Sequence, residues 1–304
     1  MSSVSSPGAP SQALPAGPLR RLAGLLQRRP WVRLAVLLAA PMFWLVVAYL
    51  GSLGALFVAA FWTTDPFTGE VSRNFSLENF QVLLHDEVYR VITLRSLGVA
   101  ALVTLIDAVI AFPMAFYMSK IASRRAQPWL VIAVLTPLWA AYLVKAYAWR
   151  IIFSAHGLVN WVFEPFGLTG PGYGLTATVA TLAYLWLPYM ILPIYAGLDR
   201  LPGSLLDASG DLGAHSVRTF RSVILPIAFP AVVAGSLFTF SLSLGDYIAV
   251  KIVGGTSQLI GNVVYDNVGT ANNLPFAAAV ATVPVVVMLC YLAAVRRSGA
   301  LENL

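Results

Sequence analysis

Six long apolar runs, roughly residues 34–62, 91–119, 128–149, 174–198, 224–246 and 274–295, alternate with shorter polar stretches along this chain. Each run is long enough to cross a hydrocarbon core of about 30 Å at about 1.5 Å per helical residue. The pattern therefore predicts an all-α integral membrane protein with six transmembrane helices. Pro113, Pro137, Pro188, Pro193, Pro230 and Pro284 fall inside the runs. In a soluble helix each would be costly, but between packed membrane helices the carbonyls they free find other partners. The runs divide the chain into an N-terminal tail (1–33), a membrane domain (34–295) and a C-terminal tail (296–304). The first nineteen residues are rich in Ser, Pro, Gly and Ala and lack acids, so a disordered cytoplasmic tail is expected. The run behind them exceeds the roughly 7–15 apolar residues of a signal peptide, and no small-residue cleavage site follows it.

Composition agrees with the pattern. Of 304 residues, 59% are hydrophobic and 11% charged, where a soluble domain carries about 25% charged residues. Mean hydropathy is +0.78. The net charge of +6 could suggest nucleic acid. The basic residues, however, gather at the ends of the apolar runs, as membrane topology requires. With the N-terminus inside, the inner segments hold 13 of the 19 Lys and Arg residues, among them Arg28, Arg29, Lys120, Arg124, Arg125, Arg218, Arg221, Arg296 and Arg297. Both termini are thus predicted cytoplasmic. Most acids, including Asp65, Glu70, Glu78, Asp86 and Glu87, then face outward, and Tyr147, Trp149 and Trp161 are expected to anchor at the outer interface. The single cysteine, Cys290, lies in an apolar run, so one chain can form neither a disulfide framework nor a Cys-type zinc site.

The loop between the fourth and fifth runs, 199–223, carries the most information. Ser204-Leu205-Leu206-Asp207 has the form of a capping box and predicts a short helix starting at Ser204. Leu205, Ala208 and Leu212 then share one face. Gly213 suits a helix stop, since glycine tolerates a positive φ. A second short helix is expected beyond it, with Val217, Phe220 and Ile224 on one face, and Pro226 opening or kinking the next span. Two amphipathic helices hinged at a glycine can dock into a groove on a partner, or lie on lipid headgroups. For Asp207 the residues leave two roles open, a contact with a partner or the capping of its own helix.

This loop resembles the signature loop of ABC-importer permeases, which runs Glu-Ala-Ala, three residues, Gly, nine residues, Ile, one residue, Leu-Pro. Here Asp207-Ala208-Ser209 takes the triplet, Gly213 follows after three residues, and nine residues later come Val223, Ile224 and Leu225-Pro226. The spacing agrees throughout, with Asp for Glu, Ser for the second Ala and Val for Ile. The stretches AYAWRIIFSAHGLVN (146–160), LAYLWLPYMILPIYAGLDRLP (182–202) and GDYIAVKIVGGTSQLIGNVV (245–264) are similar to permeases of the spermidine/putrescine class. The resemblance implies a coupling helix seated in a cleft of a separate ATPase, with Asp207, Ala208, Ser209, Gly213, Leu225 and Pro226 as the coupling residues. It further implies a bacterial inner-membrane complex: a second, different permease, two ATPase subunits that carry ATP and Mg, and an extracytoplasmic binding protein that delivers the solute. This chain itself would bind no cofactor. A polyamine is the first expectation for the solute, with iron or a phosphonate as the alternative.

Charges and aromatics near the bilayer suggest a path. Asp107 lies thirteen residues before Lys120, about 20 Å from the inner end of its span. A mid-membrane acid costs roughly 2.5–3.5 kcal/mol on insertion, so Asp107 is expected to serve the solute or to bond a neighbouring helix. Asp246 and Tyr247 close the fifth run at its outer end. A polyamine needs carboxylates for its ammonium groups and aromatic faces for its methylenes. Asp246, Tyr247, Asp107, Trp186 and Tyr189 are the path candidates, from an aromatic set that includes Trp139, Tyr142 and Tyr184. Lys145 and Lys251 would repel a polycation and are expected at partner or interfacial contacts.

Other functions find little support. An ion-driven secondary transporter would have no use for the coupling loop. No H-E-x-x-H occurs, and His85, His156 and His215 lie outside the runs, so no metal site or catalytic residue is predicted. Gly235-Ser236 reads as a small-residue packing site rather than a nucleophile. No G-x-x-x-x-G-K-[ST] loop is present, so ATP hydrolysis is expected on another chain.

Overall fold

In the computed structural model, residues 30–65 and 67–297 are described. The tail expected at 1–19 and most of that expected at 296–304 lie outside them. The chain divides into two units after Leu56. Helix α1 (Pro30–Trp44) of the first continues through a π-helical turn (Leu45–Leu50) into α2 (Gly51–Ala59), which runs across the boundary. Leu37–Ala59 has the length and hydropathy of a span.

The second unit carries the remaining spans. A two-residue antiparallel pair, β1 (Thr63–Thr64) and β2 (Val71–Ser72), precedes α3 (Glu78–His85). Next comes α4 (Glu87–Phe116), which starts where the Asp86 carboxylate accepts the Val88 N–H at 2.8 Å, satisfying one orphan donor of the first turn. A π turn extends α4 to Ile121. Then follow α5 (Gln127–Trp139), α6 (Tyr142–Ile152), α7 (Leu158–Phe163) and α8 (Leu175–Asp199). Beyond these lie α9 (Gly203–Asp211), α10 (Ser216–Thr219) and α11 (Leu225–Gly245). The last three helices are α12 (Ile248–Val253), α13 (Ile260–Gly269) and α14 (Leu274–Arg297).

Five helices are long and apolar enough to cross a membrane among the described residues, and α5 with α6 makes a sixth crossing only as a pair bent by 90°. The uninterrupted run expected at 128–149 is therefore broken. The break falls at Ala140 and Ala141, both extended (ψ 138° and 137°). The fifth span also begins earlier than expected. A π turn (Phe220–Ile224) joins α10 to α11, so the second loop helix is the start of the span, which runs from Ser216 to Gly245. Pro226 therefore does not open the span but lies within it, two residues past the π turn.

Helices α4, α8 and α11 form the centre, and 12 of the 25 residues of α8 are buried. One apolar cluster joins Val99 and Val103 to Leu182, Leu185 and Val250; another joins Ala111 and Ala115 to Met190, Ile194 and Ala228. Small residues permit the approach. A Cβ on Gly235 would stand 2.8 Å from Met190 Sδ, and one on Gly197 2.5 Å from Ala231 Cβ. Gly235 is thus a packing position, as expected, and Ser236 Oγ bonds Tyr291 Oη at 2.6 Å. Trp149, expected as an interfacial anchor, packs inward on Phe153 and Tyr184. Tyr147 and Trp161 are exposed.

Candidate functional site

Two segments flank the fifth span, and each carries sequence-predicted residues. The first is loop 199–223. Its helix α9 begins at Gly203 behind Pro202, and no side chain caps it. The capping box expected at Ser204–Asp207 is therefore absent, and Asp207 is not the capping acid of its helix. Leu206 packs on the core cluster and Ser209 is buried, its Oγ 2.8 Å from Thr219 Oγ1. The face bearing Leu205, Ala208 and Leu212 points away from the chain. Leu212 is 88% exposed, and Asp207 and Ala208 are exposed beside it. The loop returns at Gly213, whose φ is +75°, a conformation costly for other L-residues. Nothing stands within 4 Å of a Cβ built there, so the glycine answers to backbone geometry rather than to space.

The base of the loop is firmly held. Leu198 and Leu201 are buried, and Lys120 Nζ, at the end of the second span, donates to the Leu201 carbonyl at 2.6 Å. Phe220 meets Phe112 edge-on at 5.3 Å. Motion of α9 would thus be passed to α4 and α11 through packed contacts. Leu225 is exposed, and both Leu225 and Pro226 belong to α11, an element apart from α9. Of the second-helix face, Ile224 is buried and Val217 exposed.

The second segment, 245–269, follows the fifth span. Asp246 is only 8% exposed. Its Oδ1 accepts the Ala249 N–H at 2.9 Å, and its Oδ2 accepts a short hydrogen bond from Tyr142 Oη. The carboxylate thus holds α12 and the start of α6 together. Tyr142 lies 6.0 Å from Trp186, and Trp186 lies 5.9 Å from Tyr189. Four residues therefore run in a connected series, Tyr189–Trp186–Tyr142–Asp246. Tyr247 is outside that series and stacks on Tyr265 at 4.7 Å.

Asp107 stands apart from both. It is completely buried on α4, and neither carboxylate oxygen has a hydrogen-bond partner among the described residues. The Trp186 Nε1 is likewise unpartnered there. Sequence reasoning missed the Lys120–Leu201 bond, the Tyr142–Asp246 bond and the pair Lys251–Asp266 (2.5 Å). Each joins residues at least fifteen apart, and no local pattern announces it.

The helices, the broken third crossing and the loop before the fifth span define a multi-pass membrane component of an importer. The chain belongs to the family of binding-protein-dependent transport system inner membrane components, whose sequence pattern matches residues 107–297. It is 42% identical over 301 residues to the inner membrane ABC transporter permease protein YdcU of Escherichia coli (strain K12), covering 94% of this chain and 96% of that one. It is 32% identical over 233 residues to the spermidine/putrescine transport system permease protein PotB of Haemophilus influenzae (75% and 81% covered). In fold it is similar to a chain of a bacterial alginate ABC transporter solved with a pentasaccharide-bound periplasmic protein. That likeness has a TM-score of 0.67 at 15% identity, over 93% of this chain and 98% of that one.

Proposed function

We propose that this chain is one of two membrane subunits in an ATP-driven importer of a polyamine, non-catalytic itself and coupled through loop 199–223 to a separate ATPase. One observation carries the coupling: the signature spacing folds into a helix whose apolar side chains Leu205 and Leu212 face away from its own chain, next to a left-handed Gly213. An exposed apolar helix face on an anchored base fits a partner groove. The solute class rests on the likeness to PotB. A polyamine fits the residues available, since a polycation losing water in a narrow passage needs carboxylates or dense acceptors. Asp107, Asp246, Tyr247, Trp186 and Tyr189 are the proposed path residues. Because Tyr142 holds Asp246, that carboxylate meets solute once the Tyr142 bond opens.

In the proposed complex a second permease pairs with this chain, two ATPase subunits bind ATP and Mg at the cytoplasmic face, and a binding protein delivers the solute from outside. Both termini are cytoplasmic. Affinity purification of this chain from its own membranes should bring down an ATPase, and vesicles holding the complex should import labelled spermidine or putrescine when the loaded binding protein is added. An intact complex importing neither, but importing iron or a phosphonate, would overturn the solute assignment. For orientation, Asp86→Cys and Asp211→Cys in a Cys290→Ala background should be labelled by an impermeant thiol reagent from opposite sides. Labelling from one side would reject the topology.

A further inference from the structure

On charge alone, a lysine at position 251 is an obstacle to a cationic solute. Its surroundings say otherwise. Lys251 Nζ lies 2.5 Å from Asp266 Oδ1 and 4.2 Å from the centroid of the Tyr265 ring. Tyr265 in turn stacks on Tyr247, with ring planes 20° apart. A carboxylate beside aromatic faces is the set of contacts that any primary ammonium group seeks. Lys251 thus shows that the cluster accepts an ammonium, because it supplies one.

The frame around the cluster stands without the lysine head group. Asn262 Nδ2 donates to the Tyr247 carbonyl at 3.2 Å, and Asn262 Oδ1 accepts the Leu259 N–H at 3.3 Å. Ala249, Val250, Leu259 and Ile260 are fully buried. Gly261 packs so near the end of α11 that a Cβ there would come within 2.9 Å of the Gly245 carbonyl oxygen. The ionic partners, by contrast, are 40% and 36% exposed, so the lysine can swing out without opening the core. A surface ion pair with a cation–π contact holds its group by a factor of about ten, which an incoming ligand can overcome.

We propose that Asp266, Tyr265 and Tyr247 form an ammonium subsite of the solute path, occupied in the unloaded chain by the ammonium of Lys251, and that an ammonium group of an arriving polyamine displaces it. The proposal rests on the polyamine reading above. Self-occupancy keeps Asp266 paired when no solute is present. It also weakens solute binding by about the same factor of ten, and a path must bind its solute loosely enough to release it.

The test is equilibrium binding of labelled spermidine to the complete complex in nanodiscs, without binding protein. Lys251→Met should tighten binding by about tenfold, while Lys251→Arg, which keeps a cation, should stay near wild type. Asp266→Asn should weaken binding severalfold, and the double variant should bind no more tightly than Asp266→Asn alone. A merely structural bridge predicts that losing either partner shifts binding in the same direction. That result, or unchanged affinity in Lys251→Met, overturns the subsite; Lys251→Gln carries the same test should the Met variant fail to assemble. Uptake into vesicles with the loaded binding protein separates the two levels. Normal polyamine uptake with no tightening in Lys251→Met removes the subsite alone. Absence of both binding and uptake in the wild type removes the polyamine reading with it.

Discussion

The segments on either side of the fifth span solve opposite problems. Loop 199–223 leaves Leu205, Leu212 and Val217 exposed while tying its base down through Lys120. Segment 245–269 turns inward: Asp246 is satisfied by Tyr142 and Ala249, Asn262 by Tyr247 and Leu259, and Lys251 by Asp266. In the proposed complex the first is a surface that another molecule completes. The second completes itself, and its contacts must be exchanged if a solute is to use them. On the proposed reading, exposed apolar area on a rigid anchor serves docking, whereas the satisfied polar cluster near the surface serves exchange with the solute.

The largest expected effect tests the docking side. Gly213→Arg places a long side chain at φ +75° on the exposed loop, and should cut polyamine uptake by more than tenfold while the chain still inserts in the membrane. Gly213→Asn should do much less, because asparagine enters the left-handed region locally. Uptake and ATPase co-purification in vesicle preparations check both. Wild-type behaviour of Gly213→Arg would mean that this loop does not couple.

On the inward side the matching glycine is Gly261, where the obstacle is space rather than φ. Gly261→Ala brings a Cβ within 2.9 Å of the Gly245 oxygen and should cost about 1–3 kcal/mol as overpacking, read as a fall of several degrees in the thermal midpoint of the purified complex. Gly213→Ala should reduce that midpoint less, since its strain falls on an exposed turn. The reverse order would break the contrast between the two segments.

Asp246 and Tyr142 should behave as a unit. Asp246→Asn, which removes the charge, is expected to lower uptake severalfold, Tyr142→Phe to lower it less, and the double variant to be no worse than Asp246→Asn, since the Tyr142 hydroxyl acts through this carboxylate. Fully multiplicative losses would show that each acts alone. The smallest effect belongs to Ser204→Ala. The serine makes no cap in α9, so the change should stay within about 0.5 kcal/mol, against about 1 kcal/mol for a true N-cap. Thermal melts of the two complexes separate these values.

Much of the fold was legible along the chain because the signals are local. Runs of apolar residues long enough for the bilayer located the crossings at 87–121, 175–199 and 274–297 to within a few residues. The left-handed turn at Gly213 was equally readable, since glycine is the residue that meets that conformation without strain. The Asp107 position was found by its charge, and its burial without a hydrogen-bond partner among the described residues was decided by the tertiary structure.

What the residues determined by themselves is the membrane-spanning character, the signature spacing of the loop and the glycine at its end. All three depend on periodicity, length or one residue's own sterics. The tertiary structure decided the rest. The third crossing breaks at Ala140-Ala141, although alanine is the strongest helix former. Local propensity is worth only tenths of a kcal/mol per residue and is overridden by long-range packing. Here Phe153 packs with Val253, and Tyr142 bonds Asp246, holding α6 against α12 across about a hundred residues of chain. The same kind of long-range contact chose which face of α9 is covered, since the packing of Leu206 and the burial of Ser209 leave Leu205, Ala208 and Leu212 outward. It also brought Lys251 to Asp266. A helical stripe fixes which residues share a face, but only the neighbours in space determine whether that face is core or docking surface.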